Sequence, residues 1–291
     1  PTKYPELVDY LTFHSEVIAE AILHFARVTK STLADCGRTK LCGAFYGYYF
    51  WDAGYLGAFQ FCGHHAFERV LQSPDVDFFC CPYLYQERFP GGMYNATLPA
   101  DSVRLNGKLF YSEDDTRTYM MRPESWPARC PDLATSVGVL QRNLVGVLQS
   151  GGSLWWMDIA GAGWFDDADL MREIGKLVEM TALELEADRS PSAEIALIVS
   201  EKSAFYDWHE NDLTNVQIAR QLSEINSLGA PFHTYLASDL EKLFTSPEGA
   251  RLKLVIFMNC SYLAPAERAA IKRCVARAGR TLLWLYAPGM V

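Results

Sequence analysis

The chain has 291 residues, 49% hydrophobic and 21% charged, the composition of a well-cored globular protein long enough for one large domain or two medium ones. Its net charge of −9 argues against a nucleic-acid surface, which needs clustered Lys and Arg. No run of ~18 apolar residues is present to form a transmembrane helix. Pro1 opens the chain without a basic-then-apolar leader, as expected of a processed product or an excised piece. The eight cysteines include no CxxC pair, so no zinc site is expected, and their even number permits disulfides without requiring them.

Glu6 to Lys30 is predicted to be a helix, with Leu7, Leu11, Ile18, Ile22 and Phe25 on one apolar stripe and Pro5 at its start. His14 and His24 lie on it as solvated or core-edge residues. Leu41 to Phe50 reads as a buried strand, with Gly43 and Gly47 where backbone or ligand comes close. A loop with Trp51, Asp52, Tyr55 and Gly57 follows. His64 and His65 then open a short helix, and no acidic or Cys partner at ligand spacing supports a metal there. Val76 to Tyr85 is the next strand, with adjacent Cys80 and Cys81 pointing to opposite faces. Its end carries Tyr83, Tyr85, Gln86, Glu87 and Arg88. A long loop from Phe89 to about Asp101 precedes a third strand over 108–113.

That third strand is the one the chain turns on. The apolar run Leu109 to Tyr111 ends in three carboxylates, Glu113, Asp114 and Asp115, with Arg117 close behind. A strand whose C-terminal tip turns acidic is how α/β enzymes present catalytic carboxylates to a cleft, although a solvated acidic turn has the same pattern. After an irregular stretch from Thr118 to Pro131, Asp132 to Gln149 is a helix with Leu133, Val137, Leu140, Leu144 and Leu148 on one face. Ser153 to Ile159 is a fourth strand, with Trp155, Trp156 and Asp158 near its tip. Asp166 or Asp167 caps the next helix, which runs to about Ala187. Residues 1–189 therefore read as parallel βα units. Four such units are half of a (β/α)8 barrel, and a half alone leaves two open edges and an unfilled interior. The first half of the barrel is therefore expected to lie outside these residues or to be supplied by something else.

Residues 188–192 look like a linker. A second βα pattern follows: strands at 195–199, 232–236, 252–258 and 281–286, and helices at 216–228 and 265–278. This predicts a doubly wound parallel-sheet domain over 190–291. It has no GxGxxG and no phosphate-binding loop, so no nucleotide cofactor is expected. Cys260 follows a strand, but without a nearby His it reads as a structural thiol.

Several segments resemble those of a known family. LVDYLTFHSEVIAEAILHFARVTK, SPDVDFFCCPYLY, NGKLFYSEDDTRT and LQSGGSLWWMDIAGAGWFDDADLM resemble, in order, the helix after the fourth barrel strand and the sixth, seventh and eighth strands of family-42 glycoside hydrolases, a β-galactosidase-like family. SAEIALIVSEKSAFYD resembles the start of that family's trimerisation domain, which has a glutamine-amidotransferase-like fold. The resemblance implies an α/β protein: the second half of a TIM barrel over 1–189, then part of the trimerisation-like domain. It implies a retaining glycosidase that acts on carbohydrate without a cofactor and assembles as a trimer when intact. Glu113 matches the nucleophile at the end of the seventh strand. The acid/base glutamate belongs to an Asn-Glu pair at the end of the fourth strand, which has no match here, so the chain departs from the family by one carboxylate. Tyr83 or Tyr85 is the aromatic expected beside the nucleophile. One of Trp155 and Trp156 faces the interior to stack on a sugar, Asp158 binds a hydroxyl, and Arg117 completes the substrate-binding set.

Two other readings compete. One is a non-catalytic carbohydrate-binding or assembly protein that keeps the glycosidase fold. The other is an unrelated enzyme holding Mg²⁺ on residues 113–115, which is disfavoured because consecutive acids on a strand tip cannot all face one ion.

Overall fold

The structure is a computed structural model that describes residues 4–50, 59–122, 129–188, 190–206, 213–277 and 279–290. The expected loop residues Trp51, Asp52, Tyr55 and Gly57 lie outside the described residues. The chain is mixed α/β with two four-stranded parallel sheets. It divides into two compact units, one of Pro1–Cys80, Thr97–Phe110 and Pro191–Val291, the other of Cys81–Ala96 and Tyr111–Ser190.

The first sheet has the order β1-β2-β3-β4, from β1 (Gly43–Phe45), β2 (Phe78–Pro82), β3 (Leu109–Asp114) and β4 (Ser153–Trp156). Strands β2 and β3 each begin in the first unit and end in the second. Sequential order with parallel pairing is what repeated strand–helix connections produce. The helices are α1 (Pro5–Asp35), α2 (Phe67–Leu71), α3 (Ala100–Leu105), α4 (Leu133–Gln149) and α5 (Ala168–Glu184). Asp132 and Asp167 cap α4 and α5 by accepting from Thr135 N and Leu170 N, each at 2.8 Å.

Three expectations need correction. The strand expected over 41–50 pairs only across Gly43–Phe45, in register with Phe78–Cys80. Gly47 has φ +89°, which breaks the extended run, and aromatics on both sides of it turn inward. The Tyr46 hydroxyl donates to Gly63 O (3.0 Å) and the Tyr49 hydroxyl to Ser200 O (2.9 Å). Gly43 does mark a close approach, since a Cβ there would enter the Phe78 ring. On α1 the buried stripe is Leu11, Ser15, Ala19, Leu23 and Ala26, and Phe25 is 68% exposed. Small residues set that face, because they let the helix approach its neighbours closely. Finally, α3 lies in a stretch expected to be loop.

The second sheet has the order β6-β5-β7-β8, from β5 (Ile195–Val199), β6 (Phe232–Leu236), β7 (Leu254–Phe257) and β8 (Thr281–Trp284). Burial on both faces explains the apolar runs of β5 and β7. The helices of this stretch are α6 (Gln221–Ser227), α7 (Leu240–Phe244), α8 (Pro247–Arg251) and α9 (Pro265–Ala270). Strand β6 is an edge strand, and α3 satisfies it through side chains. Asp101 Oδ2 accepts from Thr234 N (2.8 Å), and Ser102 Oγ accepts from Leu236 N (2.8 Å). Asp101 Oδ1 lies 2.8 Å from His233 Nδ1, and Arg104 bridges to Glu248. No described helix is long and apolar enough to cross a membrane.

Candidate active site

The site is built on the C-terminal tip of β3. Here Glu113 is in register with Trp155 of β4, and Asp114 with Trp156. Successive strand residues face opposite sides, so Glu113 and Trp155 share one face and Asp114 and Trp156 share the other. The second face is the helix side. Trp156 packs there against the apolar cluster of Leu140, Leu144, Leu170, Ile174 and Leu177. Asp114 is bound there as well. Its Oδ1 accepts from Thr116 N (3.0 Å) and Thr116 Oγ1 (2.5 Å), and its Oδ2 accepts from Asn143 Nδ2 of α4 (3.1 Å). Burial pushes the Asp114 carboxyl up, against these bonds. Of the two tryptophans, then, Trp155 stands on the Glu113 face, and it is 40% exposed.

Asp115 follows the strand and is completely buried, held by two guanidinium groups. Arg88 pairs with its Oδ1 and Arg117 with its Oδ2. Arg88 is itself 1% exposed. It donates from Nη2 to Tyr83 O (2.8 Å), and its guanidinium carbon lies 3.4 Å from the Tyr85 ring centre. Arg117 stands 5.2 Å from the Trp164 ring centre and 5.6 Å from that of Tyr85. The site is therefore lined by two cations against aromatic faces, an arrangement that favours charge in a partly dry setting. Tyr85 belongs to this cluster. Tyr83 lies beneath it, with its hydroxyl 3.1 Å from Thr116 Oγ1 and its ring stacked on Tyr94.

Glu113 is 8% exposed. Burial raises its proton affinity most, the Asp115 charge adds to this, and Arg88 and Arg117 oppose both; the net shift is upward. The carboxyl therefore sits between a neutralising and an ionising influence, a setting typical of functional carboxylates.

Asp158 is occupied differently from its expected role. Its Oδ2 accepts from Gly163 N (2.6 Å) and Trp164 N (3.0 Å), so it staples the turn that presents Trp164. Burial raises its carboxyl, but backbone donors outweigh this and hold it below the ordinary range. Its Oδ2 thereby positions Trp164, while its buried Oδ1 accepts no hydrogen bond among the described residues.

Arg88 carried no assigned role in the sequence. Nothing local marks it, because its burial depends on Asp115, far along the chain. The remaining candidates elsewhere read as structural. Burial lowers His64 and His65 to about 4, leaving them neutral core residues. Cys260 is buried, with its thiol pushed up by desolvation. No disulfide links any of the eight cysteines. Among the described residues, no group of three or more His, Cys, Asp or Glu could hold a metal. Asp114 and Asp115 face away from one another into separate partners, so the three acids of the tip do not converge on an ion. Neither a protein-family model nor a curated protein sequence matches the chain.

Proposed function

We propose that this chain carries the nucleophile side of a retaining glycoside hydrolase similar to the family-42 β-galactosidases. In this reading β1 to β4 are the second half of a (β/α)8 barrel. Residues 190–291 form the amidotransferase-like α/β domain through which the intact protein trimerises. The observation that carries the reading is the pairing of Glu113 with Trp155 on one face of the sheet, at the C-terminal end where α/β barrels hold their chemistry.

Glu113 attacks the anomeric carbon, and the glycosidic C–O bond breaks as a glycosyl ester forms on its carboxylate. Water then cleaves the ester and restores the carboxylate. Trp155 offers its exposed ring to a sugar face, and Arg117 stands between the Tyr85 and Trp164 rings. The leaving oxygen needs a proton from a carboxyl ~5–5.5 Å away. Asp114 is bound on the helix side and Asp115 is ion-paired, so neither supplies it. General acid help is worth ~10²–10⁴-fold. The 291 residues alone are therefore expected to cleave a 2,4-dinitrophenyl glycoside, whose leaving group departs unprotonated, and not lactose. Absence of dinitrophenolate release by the wild type, or equal release by Glu113→Gln, would contradict the reading, as would full turnover of lactose.

The lack of a second free carboxylate at the β3 tip also favours a non-catalytic carbohydrate-binding protein. Saturable sugar binding without dinitrophenolate release would select that reading.

A further inference from the structure

The cluster behind Glu113 contains four charged side chains within one unit: Arg88, Arg117, Asp115 and Glu113. Asp115 and Arg88 are 0% and 1% exposed, and Arg117 and Glu113 are each 8% exposed. Arg88 and Arg117 both pair with Asp115 in a region mostly closed to water. Glu113, two residues before Asp115 along the chain, feels the positive charge of both arginines. The third acid of the β3 tip, Asp114, does not enter this cluster, because its carboxyl is turned to Thr116 and Asn143 on the opposite face. Asp158 is likewise committed to the backbone of the Trp164 turn. The other side chains bordering the cluster, Tyr83, Tyr85 and Trp164, contribute aromatic faces.

Arg88 is held from several sides. It donates from both Nε (3.3 Å) and Nη2 (2.8 Å) to Tyr83 O at the end of β2, while Nη1 binds Asp115. Its guanidinium carbon also sits 3.4 Å from the Tyr85 ring centre. A lysine could supply the charge but not this fork of bonds. Arg88 thus ties the end of β2 to the residue two places after Glu113.

We propose that Arg88 is a positioning residue for Glu113, acting through Asp115: it fixes the β3 tip and supplies a buried positive charge that favours the ionised form of the Glu113 carboxyl. The inference rests on the assignment of Glu113 as nucleophile for its catalytic meaning, but its electrostatic effect is tested without turnover. The measurement is the titration of the Glu113 side-chain carboxyl by ¹³C NMR in glutamate-labelled full chain, with Glu113→Gln identifying the resonance.

Asp115→Asn removes the adjacent negative charge, and the Glu113 midpoint falls. Arg88→Met in that Asp115→Asn background removes a cation without orphaning a buried carboxylate, and the midpoint rises again by about one unit or more, the effect of losing a nearby opposite charge. Arg88→Met alone raises the wild-type midpoint by a similar amount, and Arg88→Lys moves it less than Arg88→Met. A merely structural role predicts one common loss of order in every variant and no opposite movements. An unchanged midpoint on adding Arg88→Met to Asp115→Asn overturns the proposal, whether or not the Arg88→Met single variant folds. Failure of the glycosidase reading shows separately, as absent dinitrophenolate release by a wild type whose Glu113 still titrates in this pattern.

Discussion

Three consecutive acids at the end of β3 have three different surroundings. Glu113 shares a face with exposed Trp155, Asp114 is bonded into the helix layer, and Asp115 is locked between two arginines. Strand alternation separates the first two, and the arginines fix the third. The expected kinetic consequences differ accordingly. Glu113→Gln lowers dinitrophenyl glycoside cleavage by at least ~10³-fold, as loss of a nucleophile does. Asp114→Asn leaves it within about tenfold, and its cost falls on stability, at about 1–3 kcal/mol for disturbing a buried hydrogen-bonded group. Steady-state rates beside urea unfolding separate the two. If both variants lose activity equally while remaining folded, the assignment of Glu113 over its neighbour fails.

At the scale of elements, α3 carries consequences out of proportion to its length. Its Asp101 is 3% exposed and holds both Thr234 N and His233 on the edge strand β6. Asp101→Ala strips the acceptor from buried donors and is expected to cost about 1–3 kcal/mol, read as a lower urea midpoint with faster amide exchange at Thr234. Exchange that stays as slow as in the wild type would show that β6 is protected by something else. The α4 cap makes a milder contrast: Asp132→Ala removes one exposed side-chain acceptor and costs about 1 kcal/mol.

The element order was largely legible, because strands such as Ile195–Val199 and helices such as Leu133–Gln149 carry strong apolar patterning. The helix α3 was not, since six residues show too little periodicity to distinguish a turn of helix from loop. Run length misled at Leu41–Phe50, where aromatic residues serve the core through side-chain hydroxyls instead of a strand ladder. In the site, alternation reduced two tryptophans to one candidate, and β3–β4 register supplied the choice. Arg88 had no local signature, because a buried cation is defined by its distant partner.

At the scale of the whole molecule, pH is the most direct probe of how charges are buried. Glu201 is 8% exposed and accepts from Phe67 N (2.5 Å) and Glu68 N (3.1 Å) at the start of α2. Burial raises its carboxyl to about 8 from an ordinary 4.5, against those two donors. The folded state therefore holds this proton more tightly than the unfolded state. Its contribution is fully present below about 4.5 and is lost as pH rises through about 8. Over that window the contribution falls by a few kcal/mol, from ~1.4 kcal/mol per unit. Wild type should lose stability relative to Glu201→Gln between pH 5.5 and 8.5 in urea unfolding, and parallel curves for the two would contradict the assignment.

The central claim remains that Glu113 is the nucleophile, and covalent capture tests it most directly. The chain is incubated with 2,4-dinitrophenyl 2-deoxy-2-fluoro-β-galactoside and digested, and the peptides are sequenced by mass spectrometry. The account predicts one fluoroglycosyl ester, on Glu113, absent from Glu113→Gln. An ester on Asp114, Asp115 or Glu87, or an adduct that persists in Glu113→Gln, would contradict it.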